Sequence, residues 1–270
     1  MLGAIVGDIV GSVYERNNIK TKKFPLFRDD CHFTDDTVMT CAVAEAVMNG
    51  GQKDDFIDAI KKYGRAYPNV GYGSGFRKWI KSDDREPYYS CGNGAAMRVS
   101  PCAWMMDCGF MDRTGVWPSA GSACAELSAA VTHNHPEGIK GAMATADAIF
   151  LCRYYFHGYG DNGEISYKNN PEECKKLIRN HIEWAYGYDL SKTLDEIRPT
   201  YGLMRLARAV CLRPSSHFWK AQTLKMPFEM PFLLEATAIL LLQSQAASQR
   251  RLTGFPTGSN AKHLTIWMRH

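Results

Sequence analysis

The chain has 270 residues, of which 45% are hydrophobic and 22% charged, with a net charge of +4. This ordinary globular composition excludes wholesale disorder and collagen-like or coiled-coil architecture. No apolar run approaches the roughly 20 residues of a membrane span. The apolar start, Met1 to Val10, is interrupted by Asp8 and has no basic residue before it, so a signal peptide is not expected. The nine cysteines are irregularly spaced and form no C-x-x-C pair, a pattern that suits reduced, mostly buried thiols in a cytoplasmic protein.

In chain order, Gly3, Gly7 and Gly11 stand four residues apart and predict a helix with one smooth face for close packing. Thr34 reads as a helix N-cap, with Asp35 and Asp36 in the first turn. Val38, Cys41, Ala42 and Ala46 carry that helix on, and Gly50-Gly51 ends it. A second helix is predicted to begin at Asp54 or Asp55 and to run through Phe56, Ile57, Ile60 and Tyr63. Pro68 to Gly75 and Ser90 to Pro101 read as loops. Ser119 to about Thr132 is helical in composition, and His133-Asn134-His135-Pro136-Glu137-Gly138 breaks it. Pro136 suits a helix start, and Ile139 to Tyr155 reads as a long buried helix. Pro171 to Gly187 is a further amphipathic helix. No alternating strand run occurs in residues 1–202, so the predicted class is all-α with functional loops at helix ends.

The sharpest chemical feature is Phe33-Thr34-Asp35-Asp36-Thr37. Adjacent carboxylates repel unless a cation lies between them, and a hydroxyl with two carboxylates is a hard oxygen set suited to Mg²⁺, Mn²⁺ or Ca²⁺. A well-capped helix with dipole-favourable acids explains the same residues without a metal. Gly92-Asn93-Gly94-Ala95-Ala96-Met97-Arg98 is either a plain turn or a loop whose amides can approach a phosphate. His133 and His135 are either ligand contacts or a capped, solvated pair. Glu15 is either a surface acid or one that serves a metal site.

Taken in order, four motifs closely resemble the ADP-ribosylglycohydrolase family, which includes the dinitrogenase-reductase-activating glycohydrolases. They are Gly7-Asp8-Ile-Val-Gly11-Ser12-Val-Tyr-Glu15, Phe33 to Thr37, Gly92 to Arg98, and Thr132 to Gly138. The resemblance covers residues 1–202. It implies an orthogonal all-α bundle, a binuclear Mg²⁺ site (Mn²⁺ being possible), and hydrolysis of the glycosidic bond between ADP-ribose and a modified protein side chain or small molecule. Carried over by residue, it implies Thr34, Asp35 and Asp36 as metal ligands and Glu15, Asp35 and Asp36 as the catalytic set. It also implies Gly92, Asn93, Gly94 and Ala95 as the diphosphate and ribose loop, with His133 as a substrate contact. A monomer without nucleic-acid or membrane partners is expected.

The resemblance stops after Pro199-Thr200-Tyr201-Gly202. The family has a second metal motif, G-G-D-x-D-T, near its C-terminus, but residues 203–270 contain no Asp at all. They hold nine Lys and Arg against Glu229 and Glu235. A shifted reading of codons allowed for Leu233-Leu234-Glu235-Ala236-Thr237-Ala238-Ile239-Leu240 yields L-G-G-D-S-D-T. The tail is therefore read as out-of-frame sequence, of non-native or irregular structure, after a single-base deletion near Gly202–Leu203. A basic nucleic-acid arm is disfavoured because the charges are scattered and no RNA- or DNA-reading motif accompanies them. The resulting expectation is an ADP-ribosylglycohydrolase impaired by loss of half its metal site, the alternative being an inactive module that binds ADP-ribose or a nucleotide.

Overall fold

The computed structural model describes residues 2–15, 19, 21, 24, 25, 27–105, 119–157 and 171–191; the expectations for 203–270 lie outside the described residues. Every regular element among the described residues is helical. In order these are α1 (Leu2–Gly11), a 3-10 turn (Ser12–Tyr14), α2 (Asp35–Met48), α3 (Lys53–Ala66), α4 (Ser74–Lys81), α5 (Ser100–Met105), α6 (Ser119–Ala130), α7 (Pro136–His157) and α8 (Pro171–Tyr186). The all-α expectation is met, and α1, α2, α6, α7 and α8 lie where the sequence pattern puts them.

Helix α2 is central, packing on α1, α3 and α5, while α7 packs on α5, α6 and α8. One face of α2 contributes Val38, Met39, Ala42, Val43 and Ala46 to a core shared with Phe56, Ile57 and Ile60 of α3 and Ala125 and Ala129 of α6. Small residues on α2, α6 and α7 let the helix backbones come close, so the core is filled without large side chains at those positions.

The structure corrects three boundaries. Helix α3 starts at Lys53 rather than at Asp54 or Asp55, because the Asp55 carboxylate reaches back to accept from the Gln52 amide at 2.9 Å. Helix α4 begins inside the loop predicted over 68–75. It buries Phe76, Trp79 and Ile80. Its last carbonyls are taken by α3: Lys61 Nζ donates to Trp79 O and Ser82 O, and Arg65 Nε donates to Ile80 O. Helix α5 starts at Ser100, within the loop predicted to run through Pro101. The described cysteines are all free thiols, and four of them, Cys102, Cys124, Cys152 and Cys174, are buried. No described helix is long and apolar enough to cross a membrane.

Candidate functional site

The first cluster forms where α2 begins. Thr34 caps the helix, its side-chain oxygen accepting from the Asp36 amide at 3.4 Å. The other open amides of the first turn are also satisfied. Asp35 N donates to Val70 O at 2.9 Å, and Thr37 N donates to Asp8 Oδ2 at 3.2 Å. A helix N-terminus whose amides are all engaged offers no anion site. What it presents instead are the Asp35 and Asp36 carboxylates.

Asp8, from α1, organises this turn. Its side chain is buried and accepts four hydrogen bonds: from the Thr34 amide and hydroxyl and from the Thr37 amide and hydroxyl. Because the Thr34 hydroxyl spends its proton on Asp8 Oδ1 at 2.5 Å, its oxygen lone pairs are left to accept. The sequence reading treats Asp8 only as a charge in an apolar stretch and a motif member. Its role comes from contacts 26 and 29 residues away, which no local pattern displays.

The loop before α4 forms a wall against the same turn. Gly71 has φ of +115°, and a Cβ there would lie 3.1 Å from Asp35 Oδ1, so this position needs glycine on both counts. Tyr72 follows, buried, and its phenol is pushed well above its ordinary range by burial and then by the Asp35 charge. Glu15 lies at the exposed end of the 3-10 turn and makes no hydrogen bond or ion pair with the described residues. Its segment is nevertheless tied to the α2 approach, since the His32 amide donates to Ser12 Oγ at 3.1 Å.

The second cluster joins the 88–98 segment to the α6–α7 junction. The Ser90 amide donates to Thr132 O, and the Tyr89 amide donates to Asn134 Oδ1 at 2.8 Å. Tyr89 has φ of +56°, an unusual conformation for a residue with a side chain, and it sits three residues before Gly92. Gly92 and Gly94 lie against His133: a Cβ on Gly94 would be 3.0 Å from the imidazole Nε2. Ala95, at the end of this stretch, is buried. His133 is 4% exposed, whereas His135 is half-buried and its Nδ1 accepts from the Glu137 amide. The two histidines therefore differ: His135 caps α7, and His133 faces the glycines.

The two clusters share α2. Thr40 Oγ1 donates to Asp36 O at 2.7 Å and also approaches Met97 O at 3.5 Å, linking the acidic turn to the end of the glycine loop. The structure brings Thr34, Asp35 and Asp36 together, and separately Gly92, Gly94 and His133. Among the described residues no group of three or more His, Cys, Asp or Glu could hold a metal ion; the oxygens gathered at the start of α2 are the Thr34 hydroxyl and the Asp35 and Asp36 carboxylates. Those donors fit a hard cation in kind: all are oxygens, and the Thr34 hydroxyl is turned by Asp8 so that it accepts.

The chain is similar to several known proteins. ADP-ribosylhydrolase ARH3 from Mus musculus is 27% identical over 185 residues, covering 56% of this chain and 47% of the relative. ARH3 from Gallus gallus is 29% identical over 188 residues, covering 56% and 48%. ARH3 from Homo sapiens is 26% identical over 228 residues, covering 72% and 56%. The chain thus spans about half the length of the curated relatives it matches. The ADP-ribosylglycohydrolase family model matches residues 1–249, a span that contains every described helix and both clusters, and the chain belongs to that family.

Proposed function

We propose that the chain is a metal-dependent ADP-ribosyl glycohydrolase in design, acting on an ADP-ribosylated protein or small molecule, and that the sequence after residue 202 impairs it. The observation that carries the reading is the α2 turn. A buried carboxylate from α1 there arranges two threonines so that a hydroxyl oxygen and the Asp35 and Asp36 carboxylates share one helix end.

In this reading Thr34, Asp35 and Asp36 hold Mg²⁺, or Mn²⁺. The bound cations would polarise a water and hold ribose hydroxyls while positive character develops at the anomeric carbon. The chain's own groups do the rest. Asp8 keeps the Thr34 hydroxyl oriented. Gly92, Asn93, Gly94 and Ala95 leave room for a diphosphate to approach the backbone, and His133 contacts it across that loop. Glu15 supplies a carboxylate at the substrate entrance. The relatives reported above are ARH3 proteins, whose name gives the reaction class, ADP-ribosyl hydrolysis, and not the linkage.

The impairment rests on composition. Residues 203–270 hold no Asp and so cannot provide a second acidic metal motif. The test compares the chain as it stands with a version carrying one restored nucleotide near codon 202. Mg²⁺-dependent release of ADP-ribose by the restored protein alone supports both parts of the reading. No release by either sinks the hydrolase. Full release by the chain as it stands sinks the impairment. Calorimetry with ADP-ribose supports the second reading, a binding module, if it shows tight binding without turnover.

A further inference from the structure

Behind His133 lies a hydrogen-bond chain that a simple ligand contact would not need. Arg98 is fully buried. Its Nη2 donates to Ser128 O at 2.9 Å and to Thr132 Oγ1 at 2.8 Å, while Nε and Nη1 have no hydrogen-bond partner among the described residues. Among the described residues no carboxylate forms an ion pair with it, and its strongest neighbours are Phe76, Tyr88 and Cys102. A buried cation without a counter-charge is expensive, and this one lies at the end of the glycine loop.

Arginine can only donate, so the Thr132 oxygen accepts from Arg98. Among the described residues, the acceptor that the Thr132 hydroxyl proton then meets is His133 Nδ1, at 2.7 Å. Burial, and then the Arg98 charge, hold His133 well below the ordinary histidine range, so the ring is neutral near pH ~7. A neutral imidazole that accepts at Nδ1 carries its proton on Nε2. That edge faces the glycines, since a Cβ would lie 3.8 Å from Nε2 at Gly92 and 3.0 Å at Gly94.

We propose that Arg98 and Thr132 are positioning residues that fix His133 as the Nε2–H tautomer, so that it donates a hydrogen bond to an anionic oxygen of a diphosphate ligand seated on the Gly92–Ala95 loop. The buried guanidinium, lacking a carboxylate partner among the described residues, biases the site toward an anion. The proposal rests on the reading of that loop as a diphosphate seat.

The test uses the full ¹⁵N-labelled chain. Long-range ¹H–¹⁵N spectra, with His133 assigned by its loss in His133→Gln, report directly which ring nitrogen holds the proton. The expected result is an unprotonated Nδ1 and a protonated Nε2 in the unaltered protein. Thr132→Val should mix or reverse the tautomer and weaken ADP-ribose binding about tenfold, the loss of one charge-assisted hydrogen bond. Adenosine, which lacks the diphosphate, should bind both proteins alike, and Thr132→Ser, which keeps the hydroxyl, should restore both readouts. A proton on Nδ1 in the unaltered protein overturns the proposal. So does a Thr132→Val protein with altered tautomer and unchanged ADP-ribose affinity. Failure of ADP-ribose to bind a protein whose His133 does carry Nε2–H overturns the diphosphate reading instead and leaves the tautomer assignment standing.

Discussion

The two clusters solve opposite electrostatic problems. At the start of α2 a buried anion, Asp8, is satisfied inside the protein by four hydrogen bonds. At the glycine loop a buried cation, Arg98, receives no carboxylate among the described residues and leaves two of its nitrogens unpartnered. Asp8 therefore supports the folded state directly, since its removal strands donors that have no other acceptor. Arg98 costs the folded state something and has its counterpart in an anion from outside. One buried charge builds structure, and the other prepares for a ligand.

The largest effect should come from removing the first. Asp8→Ala leaves two hydroxyls and two amides at the α2 turn without their acceptor and should cost about 3 kcal/mol in urea unfolding. The comparison predicts a much smaller loss for Arg98→Met, within about 1 kcal/mol, because an apolar side chain of similar length removes an uncompensated buried charge. The same Arg98→Met change should weaken ADP-ribose binding, so stability and affinity separate at this position. If Arg98→Met unfolds the protein as severely as Asp8→Ala, the contrast fails and Arg98 is a structural ion.

Two glycines sharpen the comparison at intermediate size. Gly71→Ala places a side chain in a left-handed conformation and 3.1 Å from Asp35 Oδ1. It should cost about 1–2 kcal/mol and loosen Mn²⁺ binding, read by electron paramagnetic resonance of the free ion. Gly94→Ala has no conformational penalty of that kind but brings a methyl 3.0 Å from the His133 ring. Its stability loss should be smaller, with the larger change in ADP-ribose affinity measured by calorimetry. Equal losses of metal and ADP-ribose affinity in both variants would mean that the clusters act as one unit through Thr40.

How much of this was legible in the sequence follows from the range of the contacts involved. Thr34, Asp35 and Asp36 were readable because a helix cap is a local signal, and Gly50-Gly51 marked the end of α2 for the same reason. Asp8 was not, since its partners lie on another element. Arg98 looked like the polar end of a glycine loop, because arginine is seldom fully buried and nothing local shows that this one is. Helix α4 was hidden by Pro68, Gly71, Gly73 and Gly75, all strong loop signals, although Phe76, Trp79 and Ile80 stand at helical spacing. The pair His133 and His135 could not be told apart until the fold placed one against Gly94 and the other at the α7 cap.

The smallest effect concerns pH, and it probes the ligand-ready cluster alone. Burial keeps His133 well below its ordinary range in the folded chain, whereas the unfolded chain titrates near pH ~6.5. Below that pH the unfolded state takes up a proton that the folded state refuses. The stability associated with the neutral ring is therefore present above pH ~6.5 and is lost as pH falls toward the folded value, at no more than about 1.4 kcal/mol per pH unit for one proton. His181 is also lowered, by burial against the opposing pull of Asp147, and contributes a slope of its own. The informative quantity is thus the difference between proteins. Urea midpoints measured between about pH 7 and pH 5 should fall less steeply for His133→Gln than for the unaltered chain, with the His181 slope remaining in both. Identical slopes would show that His133 protonates as readily folded as unfolded, and a ring that gains charge so easily would not be held as a neutral Nε2–H donor by Thr132 and Arg98.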